Sequence, residues 1–275
     1  MPKTSNILAE LPRPETVDPA LLARSISSGK TDLVTVLGPT ASGKTKYAVR
    51  LARELDSLLP GNARCEIISA DSRQVFRGMD IGTGKDISEY GDVPYHLIDI
   101  ADPGERFNVF EFQKAFIEAF ASIRSRGCFP ILCGGTGLYI NAVTAGYDFS
   151  SSKPLSAEGK AHSERPSGLP ERPFFIGTLV SREVRNARID ARLDARLEEG
   201  MVDEIRGLLD SGVSSETLLG YGLEYRFVTQ YVLGEMGFDE MRQKLATAIH
   251  QFAKRQKTWF RGMERAGCVI HWVEV

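Results

Sequence analysis

LVTVLGPTASGKT, residues 33 to 45, runs five mostly apolar residues into a turn of the form G-x-x-x-x-G-K-[ST]. Behind it, KYAVRLAREL brings Tyr47, Leu51 and Leu55 round at helical spacing. Strand, glycine turn and helix, in that order, are the context that a phosphate-binding P-loop requires. Gly38 and Gly43 let the arc through Pro39, Thr40, Ala41 and Ser42 turn its amides inward on phosphate oxygens. Lys44 supplies a point charge, the helix amino terminus adds positive potential, and Thr45 offers a hydroxyl to a magnesium ion. Such a loop holds a diphosphate or triphosphate without fixing the chemistry, so kinases, hydrolases and transferases all stay open at this point.

Outward from the loop, strands and helices alternate. EIISA is a short strand ending at Asp71, HLIDI (His96 to Ile100) reads as another, Phe107 to Arg126 as a helix, and PILCGG (Pro130 to Gly135) as a buried strand leading into helical GLYINAV. FFIGTLV (Phe174 to Val180) returns to strand, helices are expected over Arg182 to Asp210, Gly222 to Leu233 and Phe238 to Met263, and CVIHWVEV reads as a closing strand. Alternation of this kind implies a parallel α/β sheet with flanking helices, resembling the P-loop nucleoside triphosphate hydrolases, with a helical C-terminal part and ligands at the carboxyl ends of the strands. The expected organisation is an arm over 1–30, a P-loop core over 31–147, a flexible loop rich in Ser, Pro and Gly over 148–173, and strand and helices over 174–275 that complete the core.

Three further groups are expected in the crevice. Asp71, just past the second strand, is placed to position an acceptor or act as a general base, with Ser72, Arg73, Gln74 and Arg77 in the same loop. Thr136, within Gly134-Gly135-Thr136-Gly137, ends another strand. Arg182, Arg185, Arg188 and Arg192 follow near-helical spacing; they suit a departing anion, or a salt-bridged face with Asp190 and Asp194. HQFAKRQKTWFRGMER interleaves Lys254, Arg255, Lys257, Arg261 and Arg265 with Phe252, Trp259 and Phe260, which fits contact with RNA through phosphate and stacking, or almost as well a helix with one aromatic and one solvated basic face.

Composition narrows the classes. With 34 basic and 36 acidic residues the net charge is −2, so a nucleic-acid surface has to be local. The four cysteines (Cys65, Cys128, Cys133, Cys268) form no C-x-x-C pair and no finger spacing with histidine, which fits reduced cysteines rather than zinc or disulfides. No apolar run reaches membrane-spanning length and the amino terminus lacks a signal-peptide core; a cytoplasmic location without membrane attachment is the expectation.

Taken together, GPTASGKT, ISADSRQVFRGMDIGTGK, VPYHLIDI, PILCGGTGLYI, RIDARLDARLEEGMVDEIRGLL and AKRQKTWFRGM resemble the tRNA dimethylallyltransferase (tRNA isopentenyltransferase) family, in its order, across most of Leu33 to Trp272. The resemblance implies transfer of a dimethylallyl group from its diphosphate to the exocyclic amine of the adenosine beside the anticodon, with magnesium as cofactor and tRNA as partner, by a chain expected to be a monomer. It implies that Gly38 to Thr45 cradle the prenyl diphosphate, that Asp71 takes the amine proton, that Thr136 fixes the amine, and that Arg188 stabilises the leaving diphosphate. The tRNA contacts it implies are Asp71, Ser72, Arg73, Gln74, Lys254, Arg255, Gln256, Trp259 and Arg261. The chain departs from the family in three places. About 34 residues separate GGTGLY from FFIGTLV, where a helical insertion is usual; Glu224-Tyr225-Arg226-Phe227 stands for G-Y-R-Q; and His250 stands for an arginine. Transfer to a free adenine nucleotide and phosphorylation of a small acceptor are the competing expectations.

Overall fold

The computed structural model describes residues 12–146 and 166–275. Their sheet has six parallel strands: β1 (Leu33–Leu37), β2 (Cys65–Ser69), β3 (Tyr95–His96), β4 (Phe129–Gly134), β5 (Pro173–Leu179) and β6 (Ile270–Glu274), in the order β3-β2-β4-β1-β5-β6. β1 lies at the centre, with β4 on one side and β5 on the other, so the direction of strand addition reverses beside it. That reversal opens a crevice at the carboxyl ends of the strands, where the P-loop lies.

Alternation along β1 fills both faces. Val34 and Val36 join a core packed by α1 (Pro19–Ser27) and α2 (Lys44–Asp56), while Leu33 and Leu37 join one packed by α3 (Val109–Ser125), α4 (Gly137–Asn141) and the end of α9 (Phe238–Arg265). α5 (Arg182–Glu198), α6 (Met201–Asp210), α7 (Ser215–Gly220) and α8 (Leu223–Val232) pack with the front of α9 and with Val75, Phe76 and Met79 in a third cluster. This helical layer stands over the P-loop end of the sheet and walls the crevice.

Two expectations need correction, and two stretches left open by the sequence are filled in. The strand over His96 to Ile100 shrinks to Tyr95–His96, because Leu97 (φ 62°) and Asp99 (φ 57°) take left-handed backbone that a strand cannot hold. Asp99 and Ile100 instead donate their N–H groups to Gln74 and Val75 carbonyls. The helix over Arg182 to Asp210 is two, broken at Gly200 (φ 104°). Ser215–Gly220 adds a helical turn capped by Ser214, which accepts from Thr217 N–H. The described part of the arm is ordered: Asp18 caps α1, whose Leu22 and Ala23 are buried, and Glu15 N–H donates to Trp272 O at 2.6 Å. Most of the expected 148–173 loop lies outside the described residues; its end packs Leu169 into the core.

Candidate active site

The P-loop turns through left-handed backbone at Ala41 (φ 58°) and Gly43 (φ 79°) and enters α2 at Lys44. Its base is pinned from β5, where Ser42 Oγ and Thr178 Oγ1 share a buried 2.6 Å hydrogen bond. Gly38 is required there, since a Cβ would lie 2.0 Å from Thr178 Oγ1. A cleft of about 810 Å³ opens above the loop, lined among others by Lys44, Thr45, Asp71, Thr136, Arg188 and Arg192. The three sequence-predicted catalytic residues therefore meet the P-loop in one space.

Each arrives on its own element. Asp71 follows β2, and its Oδ1 accepts the Arg73 N–H at 3.0 Å, so one carboxylate oxygen organises the loop. Thr136 follows β4 at the N-cap of α4; its Oγ1 accepts the Ser72 N–H at 3.1 Å, while its own O–H has only a 3.5 Å contact with Ser72 Oγ. This ties the acid loop to the threonine loop and leaves the hydroxyl hydrogen free to re-aim. From α5, Arg188 Nη1 comes within 4.0 Å of where a Cβ on Gly43 would stand. Burial pushes the Lys44 ammonium below its ordinary value, and pushes the Cys133 thiol behind it up to about 12, so that thiol stays protonated.

The arginines of α5 divide by face. Arg188, Arg192 and Arg196 line the cleft; Arg185 is buried with its Nε unpartnered, and Arg182 is exposed. The expected salt-bridged face does not form. Asp194 takes Arg242 at 2.6 and 2.7 Å, and Asp190 lies 2.9 Å from His250, both across to α9. Arg192 instead reaches Asp86 at 2.5 Å, and Arg196 stands 3.6 Å from the same carboxylate. Burial, then the neighbouring Arg192, lowers Arg196 to about 10.

The expected RNA contacts also separate. Lys254, Arg255 and Trp259 are exposed on α9, with the Trp259 ring laid over Gly137, where a Cβ would lie 2.2 Å from it. Arg261 pairs with Glu264 at 3.0 Å. Arg73 pairs with Glu224 at 2.6 Å and stacks 5.1 Å from the Phe252 ring centroid. Gln74 accepts from Ser69 Oγ at 3.0 Å and donates to Gly84 O at 3.1 Å. Gln256 is buried, bonded to Thr40 and Gly135. Arg73, Gln74 and Gln256 are thus committed within the protein.

Sequence reading missed Thr178, Asp86, Arg196 and Glu204. Glu204 accepts the N–H groups of Asp80, Ile81 and Gly82 at 2.8, 2.7 and 3.0 Å, plus the Tyr225 hydroxyl at 2.6 Å. It anchors the loop whose far end, Thr83 to Asp86, lines the cleft. Nothing local marks an acid in the first turn of α6 as that anchor.

Comparison with known proteins places this architecture. The sequence matches the IPP transferase family over residues 74–166 and 148–263. A curated relative from Geotalea uraniireducens, tRNA dimethylallyltransferase 1, is 49% identical over 286 residues, covering 88% of this chain and 92% of its own. Another, tRNA dimethylallyltransferase 2 of Bacteroides fragilis, is 45% identical over 291 residues, covering 88% and 92%. Both alignments are longer than the 275-residue chain itself, so each relative carries residues with no counterpart here. The crystal structure of a full-length tRNA isopentenylpyrophosphate transferase from Bacillus halodurans superposes with a TM-score of 0.74 at 32% identity, covering 88% of this chain and 89% of that one.

Proposed function

The chain belongs to the IPP transferase family, and from that premise we propose that it is a tRNA dimethylallyltransferase, moving a dimethylallyl group from dimethylallyl diphosphate to an adenosine amine in tRNA. The observation that carries the reading at the level of residues is the shared cleft, in which a phosphate cradle, a carboxylate, a hydroxyl and an arginine converge. Transfer of this kind forms a bond from the exocyclic nitrogen to the allylic carbon and breaks that carbon's bond to the diphosphate oxygen. Negative charge grows on the leaving group, where P-loop amides, Lys44 and Arg188 face it. The nitrogen sheds a proton, for which Asp71 is the carboxylate at hand, and the Thr136 hydroxyl orients the amine.

Among the described residues no group of three or more His, Cys, Asp or Glu side chains is placed to hold a metal through protein ligands alone. A magnesium ion suits the donors present, because it keeps water and substrate phosphate oxygens and asks the protein for little more than the Thr45 hydroxyl. When bound there it neutralises diphosphate charge.

The test incubates the protein and magnesium with dimethylallyl diphosphate and, separately, unmodified tRNA, AMP and adenosine. Prenylated tRNA with release of diphosphate is expected. Prenylated AMP with unmodified tRNA would replace the acceptor, and no prenylated product alongside ATP turnover would replace the reaction.

A further inference from the structure

Gln256 stands among the exposed basic residues of α9, yet its amide is spent inside the protein. Its Oε1 accepts the Thr40 N–H of the P-loop at 2.8 Å, and its Nε2 donates to Gly135 O at 2.9 Å. The first partner belongs to the phosphate cradle and the second precedes Thr136. One side chain therefore joins the donor half of the cleft to the acceptor half. The neighbourhood is built around it: a Cβ on Gly135 would lie 2.5 Å from Gln256 Nε2 and 3.2 Å from Gly38 O, so only glycine admits both the amide and the loop. One turn on, Trp259 covers Gly137 in the same way. α9 thus presses on the residues at either side of Thr136.

We propose that Gln256 is a positioning residue, which holds the phosphate-binding loop and the Thr136 loop at a fixed separation, and that it makes no contact with the RNA. The inference rests on the prenyl-transfer reading for its kinetic consequence, while its structural consequence is independent of it. An amide is suited to the task because it offers one acceptor and one donor on a planar group, and here the acceptor meets an N–H and the donor a carbonyl. Glutamate keeps the first bond and loses the second; methionine fills the volume and loses both.

The experiment compares wild type with Gln256→Met and Gln256→Glu. Inorganic diphosphate with magnesium is titrated by calorimetry, and steady-state transfer from dimethylallyl diphosphate to a tRNA transcript is followed in parallel. In Gln256→Met, diphosphate affinity is expected to fall about 5-fold, the equivalent of one neutral hydrogen bond shaping the loop. In the same variant kcat falls at least about 10-fold, because the reacting groups lose register as well. The KM for tRNA stays within about 2-fold, and the melting temperature falls by about 3 to 5 °C, as loss of two internal hydrogen bonds requires, leaving the protein folded at the assay temperature. Gln256→Glu lowers kcat as well, through loss of the bond to Gly135. Recovery of wild-type kcat and diphosphate affinity in Gln256→Met would show that volume alone matters and overturn the proposal. So would a rise of about 10-fold or more in the KM for tRNA with unchanged diphosphate affinity, which marks a direct RNA contact. If wild type binds diphosphate but transfers nothing, the proposed reaction fails, while the calorimetric comparison still decides the role of Gln256.

Discussion

Replacing Glu204 by glutamine changes one atom and disturbs four hydrogen bonds. The carboxylate accepts Asp80 and Ile81 N–H through Oε2, and Gly82 N–H and the Tyr225 hydroxyl through Oε1. In Glu204→Gln the amide oxygen keeps one of these sides, and the NH₂ group faces the other. If the Asp80 and Ile81 side is kept, two charge-assisted bonds become neutral and the Gly82 N–H meets a donor; the Tyr225 hydroxyl can turn to accept. Hydrogen bonds to a charged group contribute about 1.5–3 kcal/mol against about 1 for neutral ones, and an orphaned N–H costs about 1–3. Asp80 is exposed, so water replaces part of that loss, which leaves a net destabilisation of about 2 to 3 kcal/mol. For a chain of this size the melting temperature falls by about 3 to 5 °C. The disturbance is also local, since the loop carries Gly84, whose carbonyl receives Gln74 and Arg192, and Asp86, which holds Arg192 in the cleft wall. Hydrogen exchange of the amides from Asp80 to Asp86 should therefore speed up more than exchange in β1 or β4. Tyr225→Phe, which removes a single bond, should cost about half as much. Unchanged amide protection in that loop, with a melting temperature within about 2 °C of wild type, would refute the anchor.

Asp71→Asn keeps an oxygen for the Arg73 N–H and removes the carboxylate proposed as base, so kcat for prenyl transfer should fall about 10²- to 10⁴-fold while diphosphate affinity by calorimetry stays within about 2-fold. Gly134→Ala places a Cβ 2.3 Å from the Ala70 backbone oxygen, which cannot retreat, and should destabilise by about 3 kcal/mol or more in urea unfolding. Gly137→Ala meets the half-exposed Trp259 ring, which can swing outward, and should cost less than half of that. At the far end of the sheet, burial raises the Glu66 carboxyl, but hydrogen bonds from Arg126, His96 and Cys128 outweigh it and hold the group below its ordinary 4.5. A carboxylate depressed on folding stabilises above its unfolded value and loses that contribution as pH falls through the folded one. Urea midpoints of Glu66→Gln should thus decline less than those of wild type when pH is lowered from about 5 to 3, and parallel declines would remove Glu66 as a source of acid lability.

How much of this was legible in the sequence follows from what each residue's role depends on. The P-loop and the strands β1, β2 and β4 could be read because their signals are local: a glycine pattern, a short apolar run and a helix start all lie within about thirty residues. Asp71 and Thr136 could be placed in the crevice because a parallel sheet sends every strand's carboxyl end to the same edge. The segment from Leu97 to Asp99 could not be read as non-strand. Its apolar residues Leu97 and Ile98 suit a strand, while the partners that hold the turn, the buried Lys85 ammonium on the Asp99 carboxylate and the Gln74 carbonyl on the Asp99 N–H, lie outside the segment. Glu204 was illegible for the same reason, since the Asp80, Ile81 and Gly82 N–H groups it accepts lie more than a hundred residues away.

Gln256 is the instructive case, because a signal for its place was present in the helix itself. The family resemblance grouped it with Lys254, Arg255 and Trp259 among the RNA contacts. The helical stripe says otherwise: Ile249, Ala253, Gln256, Phe260 and Met263 recur at three- and four-residue steps, and all are buried. A polar residue on an otherwise apolar stripe must find hydrogen-bond partners inside, and the nearest backbone groups without regular sheet partners are those of the loops that close a strand's carboxyl end. Those loops are the P-loop and the Thr136 turn. Helical phase, read before charge, therefore assigns Gln256 to the active-site scaffold and leaves Lys254, Arg255 and Trp259, which lie off the stripe, as the part of α9 open to RNA.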